Sequence, residues 1–299
     1  MCQVLTGFYN SRLAPFNGGS DKCVSVLNCF FLQCIISGDY GGAFYLNDNL
    51  MRISINDCTF SECSSKGGGA YTIFSKNALI KRVCGYKCSS SEYNPYCVTS
   101  IQNGNTASVE FLSVSLCFAN SLGTTNYFLK GNVQGYHINS SDNHVATWGS
   151  GFQTYSCESA ALSFSTFSRN YGTSCILFDT GTPECFIHYS NIIRNQQIDG
   201  STNGLFFLNS KSTVSHTSIV ANTITKFLGG SATLALNNCI LSMSSVSGVS
   251  CTNCLFNNSQ FTNIQNHLNT HLCPAILPMS GAIHIKSNLC AILLFIGYL

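Results

Sequence analysis

The amino-acid sequence predicts an all-β protein with the fold of a right-handed parallel β-helix of about nine coils. Three observations favour this fold class. A sparse pattern of apolar, cysteine and asparagine positions recurs about every 26 residues along the 299-residue chain. Apolar and polar residues alternate inside the copies, which is typical of β-strands. No window offers the uninterrupted apolar stripe of an amphipathic helix.

Each copy of the repeat begins with an aliphatic residue, continues with a bulky apolar residue five positions later, and ends with cysteine or asparagine three positions after that. Two of the nine copies are degenerate, and the ninth ends in serine instead. The steps between copies vary in length, which a β-solenoid tolerates because extra residues bulge out at its turns. In chain order the copies are Val26, Phe31, Cys34; Ile55, Phe60, Cys63; Ile80, Gly85, Cys88; Leu112, Cys117, Asn120; Gly135, Ser140, Asn143; Leu162, Phe167, Asn170; Ile187, Ile192, Asn195; Val214, Ile219, Asn222; and Leu236, Leu241, Ser244.

A second family of strands is predicted between the copies, in stretches rich in glycine and aromatic residues. Coils stacked at the strand spacing of about 4.8 Å place equivalent side chains in lines along the rod. We expect each inward asparagine to bond the backbone and the asparagine amide of a neighbouring coil. The predicted strands of this second family are Gly41–Leu46, Gly68–Phe74, Asn126–Gly131, Ser174–Asp179 and Gly204–Asn209.

Cysteine is expected to replace asparagine in the same inward position at the N-terminal end of the rod, at Cys34, Cys63 and Cys88. Free cysteine packs as a small apolar residue, so we interpret these thiols as reduced core residues. Disulfides between coils are the alternative, and spacing alone does not determine their pairing.

The chain is divided into four predicted regions. Residues 1–22 are expected to be an irregular N-terminal segment and residues 23–260 the β-helix. Residues 261–288 are expected to form an irregular C-terminal cap, followed by an apolar tail at 289–299. The tail is shorter than the roughly 18 residues that a membrane-spanning helix needs. It is open to three interpretations: a clipped membrane anchor, the end of a lipid-anchor signal, or a closing strand.

Two features of the sequence bear on the cellular compartment of the protein, and they disagree. The N-terminus lacks the basic and apolar stretches of a secretory signal peptide, whereas 18 cysteines favour an oxidising environment. We interpret the chain as an N-terminally incomplete copy of a secreted protein. A cytosolic protein with buried, reduced cysteines is the alternative.

Composition excludes several classes of protein. Charged residues make up only 9% of the chain and the formal net charge is +2, so the basic stripe of a nucleic-acid binder is absent. Aromatic residues make up 12%, which is too many for a disordered segment. The heptad composition of a coiled coil is also missing.

The glycine-rich strands Gly41–Phe44 and Gly68–Tyr71, and the bulky residue before cysteine or asparagine at Phe60 and Phe167, carry a family resemblance. They resemble the repeats of the polymorphic outer membrane protein family, most closely the cysteine-rich versions on the surface of parasitic protists such as trichomonads. The resemblance covers about residues 23–245. It implies a pectate-lyase-like β-helix at the cell surface or secreted, without catalytic activity or cofactor, that functions in adhesion.

The partner that this resemblance implies is a protein or glycan of a host surface, and the apolar tail offers a route to membrane association. The chain departs from the family pattern because it has no signal peptide, no full membrane span and no C-terminal β-barrel sequence. A truncated, nonfunctional gene copy is therefore an alternative interpretation.

A polysaccharide lyase or hydrolase is the enzymatic alternative, since such enzymes also use this fold. Their sites need clustered carboxylates together with arginine or lysine. Asp57 and Arg82 both lie six residues before a repeat cysteine, so neighbouring coils are expected to bring them together. We interpret them as an outward ion pair rather than a catalytic site.

One motif has the spacing of a Cys₂His₂ zinc site: Cys251 and Cys254, then His267 and His271. Two thiolates and two imidazoles at this spacing can close a tetrahedral site. The segment carries no cationic residue, so binding to DNA is not expected. A chance match within an irregular cap is the interpretation that we favour.

Other residues give weaker signals. His137, His144, His188 and His216 are expected to be packed histidines rather than ligands, because His216 alternates with an apolar residue. Trp148, the only tryptophan, is expected on a loop, where it offers a surface for stacking on a sugar.

Overall fold

A computed structural model describes residues 2–13, 23–179, 184–198 and 200–258. These residues form a right-handed parallel β-helix without helices, which confirms the predicted fold class. Three parallel sheets run along the rod, and each coil contributes to them in turn. About eight turns are present, slightly fewer than the nine expected from the repeats.

The first sheet has 15 strands, the second has six and the third has eight. In the first sheet the strands are Cys2–Tyr9, Cys23–Leu32, Arg52–Ser61, Asn77–Tyr86, Thr106–Ser115, Asn132–Ser141, Ser159–Ser163, Thr166–Ser168, Cys185–His188, Asn191–Ile193, Ser212–Ser215, Ser218–Val220, Leu234–Asn237, Ile240–Leu241 and Val249–Thr252. In the second they are Ser64–Gly67, Ser89–Tyr93, Phe118–Leu122, His144–Thr147, Tyr171–Gly172 and Gln196–Gln197. In the third they are Phe44–Asn47, Tyr71–Ser75, Cys97–Ile101, Asn126–Leu129, Gly149–Tyr155, Ser174–Asp179, Phe206–Leu208 and Leu228–Gly230.

The repeat copies lie directly above one another in the first sheet, with one correction. Val109, not Leu112, pairs with Ile80 of the preceding coil. The copy therefore reads Val109, Val114 and Cys117, and the predicted asparagine Asn120 is an exposed residue of the second sheet. Asparagine is so common in this chain that its identity alone did not mark the inward position.

Most coils have two corners formed by non-glycine residues with positive φ, five positions apart; in the described residues the coil of Asn238 has the first corner only, and Asn253 and Asn257 are four positions apart. Such residues cost about 1–2 kcal/mol each, and they persist because the strands on both sides are paired to neighbouring coils. The corners turn the chain around the core. The first corner is formed by Asn28, Asp57, Arg82, Phe111, His137, Phe164, Tyr189, His216, Asn238 and Asn253, and the second by Gln33, Glu62, Lys87, Leu116, Asp142, Arg169, Arg194, Ala221 and Asn257.

Aromatic rings fill the core at the N-terminal end. Phe31 stacks on Phe60 with ring centroids 4.9 Å apart, and both rings are fully buried. The next coil has Gly85 in place of the bulky residue, and a Cβ atom there would lie 2.2 Å from the Tyr96 ring. Tyr96, which directly precedes the third-sheet strand Cys97–Ile101, therefore fills the core space that a bulky side chain at position 85 would occupy.

An asparagine ladder, consisting of Asn143, Asn170, Asn195 and Asn222, runs through the C-terminal half as predicted. The Nδ2 atom of Asn143 donates to Asn170 Oδ1 at 3.0 Å, and the same bond repeats at 3.1 Å and 3.0 Å along the ladder. The backbone N–H of each of the first three asparagines also donates to the next Oδ1. The neighbouring coils thus supply most partners of these amides, and Ser140 Oγ in the same coil accepts a further bond from Asn143 at 3.1 Å.

Cysteine occupies the same inward position at the N-terminal end, as predicted. Cys63 Sγ donates to the Phe31 carbonyl oxygen at 3.7 Å, and Cys88 Sγ donates to that of Phe60 at 3.5 Å. Both thiols are free and buried. Burial raises the pKa of the Cys88 thiol well above its usual range, so it stays protonated at neutral pH.

The prediction of an irregular segment at 1–22 is wrong for its first part. Cys2–Tyr9 forms a strand that pairs in parallel with Cys23–Leu32. A disulfide joins Cys2 to Cys23 across the two coils. The strand covers one open end of the core, and its outer side chains are exposed.

The C-terminal regions predicted at 261–288 and 289–299, and the last residues of the predicted β-helix, lie outside the described residues. Within the described part of the chain, no helix has the length and apolar character needed to cross a membrane.

Candidate functional site

The first corner carries an aromatic ladder, which we define as Phe111, His137, Phe164, Tyr189 and His216. One ring comes from each of five successive coils. Neighbouring ring centroids are 4.7, 5.5, 5.3 and 4.7 Å apart, and their planes differ by no more than 20°. The coil spacing therefore holds five rings in one continuous stack along the edge of the rod.

The ladder faces solvent. Phe164 is 40% exposed and Tyr189 is 45% exposed, and His216 is also exposed. Because the faces of the rings stack on each other, their edges point outward. Ring edges carry the positive end of the aromatic quadrupole. Phe111 and His137 are half-buried, so the outward edges of Phe164, Tyr189 and His216 are the part of the ladder that can contact acceptor-rich or apolar groups.

An ion pair precedes the ladder on the same corner. Arg82 binds Asp57 through two hydrogen bonds of 2.5 Å and 2.6 Å, which confirms the outward pair predicted from the sequence. The carboxylate raises the pKa of the Arg82 guanidinium. Both side chains are more than a third exposed, so the pair contributes at most about 1 kcal/mol to stability.

The histidines pack against aromatic rings, and His216 does not take the inward position that its alternation with Val214 indicated. His137 and His216 belong to the aromatic ladder, and His144 stacks between Phe118 and Tyr171 on the second sheet with centroids at 5.2 Å and 4.6 Å. The error arose because a positive-φ corner interrupts the alternation that placed His216 inward. The imidazoles stack on aromatic neighbours outside the core.

His188 lies beside the ladder. Its Nδ1 atom is 2.5 Å from the Ser215 hydroxyl of the next coil. Partial burial, and then the nearby His216, lower the pKa of the His188 imidazole. This side chain is therefore neutral at pH 7.

Carboxylates in the described residues are distributed along the rod, and several have a basic partner of their own. Arg12 donates to Asp39 at 2.6 Å and holds the pKa of that carboxyl below its usual range. The described residues contain no group of three or more His, Cys, Asp or Glu side chains placed to hold a metal ion. The other pairs are Lys66–Glu92, Lys81–Glu110, Arg169–Asp142 and Lys211–Glu184.

Two of the four residues with zinc spacing lie in the last described coil. Cys251 is exposed and Cys254 is half-buried, and Cys254 Sγ donates to the Leu236 carbonyl oxygen at 3.5 Å. His267 and His271 lie outside the described residues, so the predicted set of four ligands stays a prediction.

Trp148 forms the turn between the second and third sheets, as expected for a loop residue. It is 38% exposed and has a φ of 82°. Its backbone N–H donates to the Thr173 hydroxyl at 2.8 Å. Trp148 lies between the strands His144–Thr147 and Gly149–Tyr155, whereas the aromatic ladder lies on the first corner.

The sequence contains a signal for the aromatic ladder. Asp57 and Arg82 were aligned because each lies six residues before a repeat cysteine. The same offset from Cys117, Asn143, Asn170, Asn195 and Asn222 gives the five ladder residues. The assignment of Asn120 in place of Cys117 removed Phe111 from this series.

Comparisons of the chain with protein-family models, with curated proteins and with solved structures find no match.

Proposed function

We propose that this protein is a non-catalytic, surface or secreted β-helix that functions in adhesion and binds a protein or glycan of a host surface. The observation that carries the proposal is the exposed aromatic ladder. It spans four coil steps, or about 19 Å at the strand spacing. A ligand with a repeating unit or an extended conformation matches such a linear array.

Energetic considerations support a binding role for this edge. Exposed aromatic side chains that lie together mark interaction surfaces, because water-exposed apolar area is lost on binding. Tyrosine is also over-represented among the residues that dominate binding energy. The stacked rings are already ordered by their neighbours, so little conformational entropy is lost when a ligand binds.

A polysaccharide lyase or hydrolase is the second candidate function. It needs carboxylates that converge with a basic side chain at one place. In the described residues Asp57, Asp142 and Glu110 each pair with a separate base in a different coil. This arrangement favours the binding role, and the resemblance noted above points the same way.

Replacing rings in the ladder is expected to weaken binding. Asparagine is the suitable replacement because Asn28, Asn238 and Asn253 already adopt the same positive φ at this corner. We expect Tyr189→Asn or Phe164→Asn to weaken binding by about tenfold each. The measurement is binding of the purified protein to immobilised glycans and to cultured host cells.

Tyr155→Asn is the matched control, because Tyr155 is 42% exposed but lies on the third sheet. It should bind like the wild type. An equal loss of binding in the control variant and in the ladder variants would show that the aromatic ladder is not the binding edge. Release of sugar products from pectin-like polymers by the wild type would instead support the enzymatic candidate.

The proposed location has its own test. Cells that express a tagged full-length chain are treated with a protease that does not enter them, and the remaining protein is measured. A surface protein should lose its tag signal while a cytosolic marker is retained. Full retention of the tag in a cytosolic fraction, with none in the medium, would contradict the surface or secreted location.

A further inference from the structure

A strip of the first sheet between the two corners carries polar side chains on its outer surface. In three successive coils the inward residues of this strip are Val114, Ser140 and Phe167, all fully buried, so the residues on either side of each face outward. Strand pairing arranges the outward residues in two lines along the rod. We define this strip as the polar trough, and its floor consists of Ser113, Ser115, Asn139, Ser141, Thr166 and Ser168.

Corner residues form both sides of the polar trough. The floor residue Ser141 is only 2% exposed although it faces outward, whereas Phe164 and Leu116 on the corners are 40% and 45% exposed. The corners are five positions apart, which is about 16 Å along a strand and leaves room for one extended chain between them. The first side is the part of the aromatic ladder formed by Phe111, His137 and Phe164, and the second side is formed by Leu116, Asp142 and Arg169.

The line of serines in the floor is bounded at both ends. Ser115 pairs with Tyr86 of the preceding coil, and Ser168 pairs with Ile193 of the following coil. These larger side chains occupy the same outward position that serine occupies in the three coils between them. The serine line therefore extends over two coil steps, or about 10 Å.

The central serine of this line has an unsatisfied hydroxyl group. Ser141 Oγ is buried and has no hydrogen-bond partner among the described residues. The hydroxyl of its inward neighbour Ser140, in contrast, donates to the Gly151 carbonyl oxygen at 3.1 Å. A buried hydroxyl without a partner costs free energy, which a polar ligand in the trough can recover.

The charges of the polar trough are balanced. Its acidic and its basic side chain are paired, because Arg169 donates two hydrogen bonds of 2.6 Å each to Asp142. An acidic ligand would have to compete with Asp142 for this guanidinium, so the balance favours an uncharged ligand.

The chemistry of the floor distinguishes between a glycan and a protein as the ligand. Hydroxyl and amide side chains both donate and accept hydrogen bonds, and the hydroxyl groups of a sugar do the same. The centre of a protein interface is instead depleted in serine and enriched in aromatic and other large side chains. The floor contains neither an aromatic nor an aliphatic residue.

We propose that the polar trough binds an uncharged glycan whose chain runs along the rod, with its hydroxyl groups on the floor and its C–H groups against the aromatic ladder. This inference rests on the proposed function, and it selects the glycan rather than the protein as the partner. The two sides fix the position of the chain across the sheet, and the serine line supplies hydrogen bonds at the coil spacing.

Filling the polar trough tests this proposal. Ser141→Tyr places in the floor the residue that Tyr86 already is in the same line, so the strand accommodates it. Ser61→Tyr is the matched control, because Ser61 is also 2% exposed and pairs with Tyr86 from the other side, outside the trough. Purified full-length proteins are titrated with a mannan, a galactan and a β-glucan. The wild type and Ser61→Tyr should bind at least one of them equally, and Ser141→Tyr should bind it about tenfold more weakly.

A second variant and two acidic probes complete the test. Ser168→Ile introduces the residue found at Ile193 in the same line, and it should weaken binding as Ser141→Tyr does. Heparin and polygalacturonate should bind more weakly than the neutral glycan. The affinity for the neutral glycan should change by less than about twofold between roughly 0.1 M and 1 M salt, because no ion pair is formed.

Four results would overturn the proposal: no binding to any neutral glycan, binding to the acidic glycans only, unchanged affinity in both trough variants, or an equal loss in Ser61→Tyr. Failure of the proposed function gives a different result. Adhesion to host cells that is lost in Tyr189→Asn and retained in Ser141→Tyr would support the adhesive function and reject the glycan site. Binding of the neutral glycan without adhesion to host cells would support the glycan site and contradict the adhesive function.

Discussion

Asn170→Ala is expected to lower the free energy of unfolding by about 4 kcal/mol. The Asn170 amide donates to the Ser140 carbonyl oxygen at 2.8 Å and to Asn195 Oδ1 at 3.1 Å. Its Oδ1 accepts from the backbone N–H and the side chain of Asn143. Alanine removes all four bonds and leaves the partners buried in coils on both sides.

The measurement is denaturant unfolding followed by circular dichroism. Asn120→Ala is the matched control, because Asn120 is exposed and lies outside the ladder, and it should change stability by less than about 0.5 kcal/mol. Asn170→Cys should fall between the two, since a thiol can donate to the carbonyl of the preceding coil as Cys88 does. Similar losses for Asn120→Ala and Asn170→Ala would contradict the inward position assigned to the ladder.

Phe60→Ala is expected to destabilise the protein by about 4 kcal/mol. Phe60 is fully buried, and its ring centroid lies 4.9 Å from that of Phe31 and 5.2 Å from that of Tyr71. The side chains around it belong to separate coils that are held in place by their own pairing. They cannot collapse into the space, so the loss includes a cavity term in addition to the transfer term.

Phe8→Ala provides the comparison, because Phe8 stacks on Phe30 at 5.6 Å but is 50% exposed. We expect a loss below about 1 kcal/mol for that variant. Coil-resolved hydrogen exchange shows where each loss falls: Phe60→Ala should speed exchange in the strands that pair with Arg52–Ser61. A uniform increase in the exchange rate along the whole rod would contradict a loss of stability confined to the neighbouring coils.

Much of the architecture could be predicted because pairing in a β-solenoid repeats at each coil. The aliphatic positions of Val26, Ile55 and Ile80 align in the structure as they did in the sequence pattern. The asparagine ladder was also predictable, because a buried amide needs partners that only the adjacent coils can offer. Both features follow from requirements of single residues: an aliphatic side chain must be buried, and a buried amide must be hydrogen-bonded.

Three features could not be predicted, because they depend on contacts outside the repeat pattern. Gly85 looked like a defect in the repeat, and its explanation lies in Tyr96, which reaches the core from a turn outside the copy. The aromatic ladder was missed because its members share a backbone conformation rather than a residue type. The strand at Cys2–Tyr9 was missed because no repeat cysteine or asparagine follows it at the expected distance.

The asparagine ladder has a direction, and that direction bears on how such a rod can change its length. In every bond between two asparagines from Asn143 to Asn222, the amide donates toward the C-terminal coil, so these bonds share one direction and reinforce one another. Duplication of one coil within this block inserts a unit whose donors and acceptors match both neighbours. A coil with cysteine at this position has no side-chain carbonyl oxygen to accept from the asparagine amide of the preceding coil. It therefore interrupts the line of asparagine–asparagine bonds. Growth by tandem duplication is therefore favoured inside the asparagine block and disfavoured across its boundary with the cysteine coils.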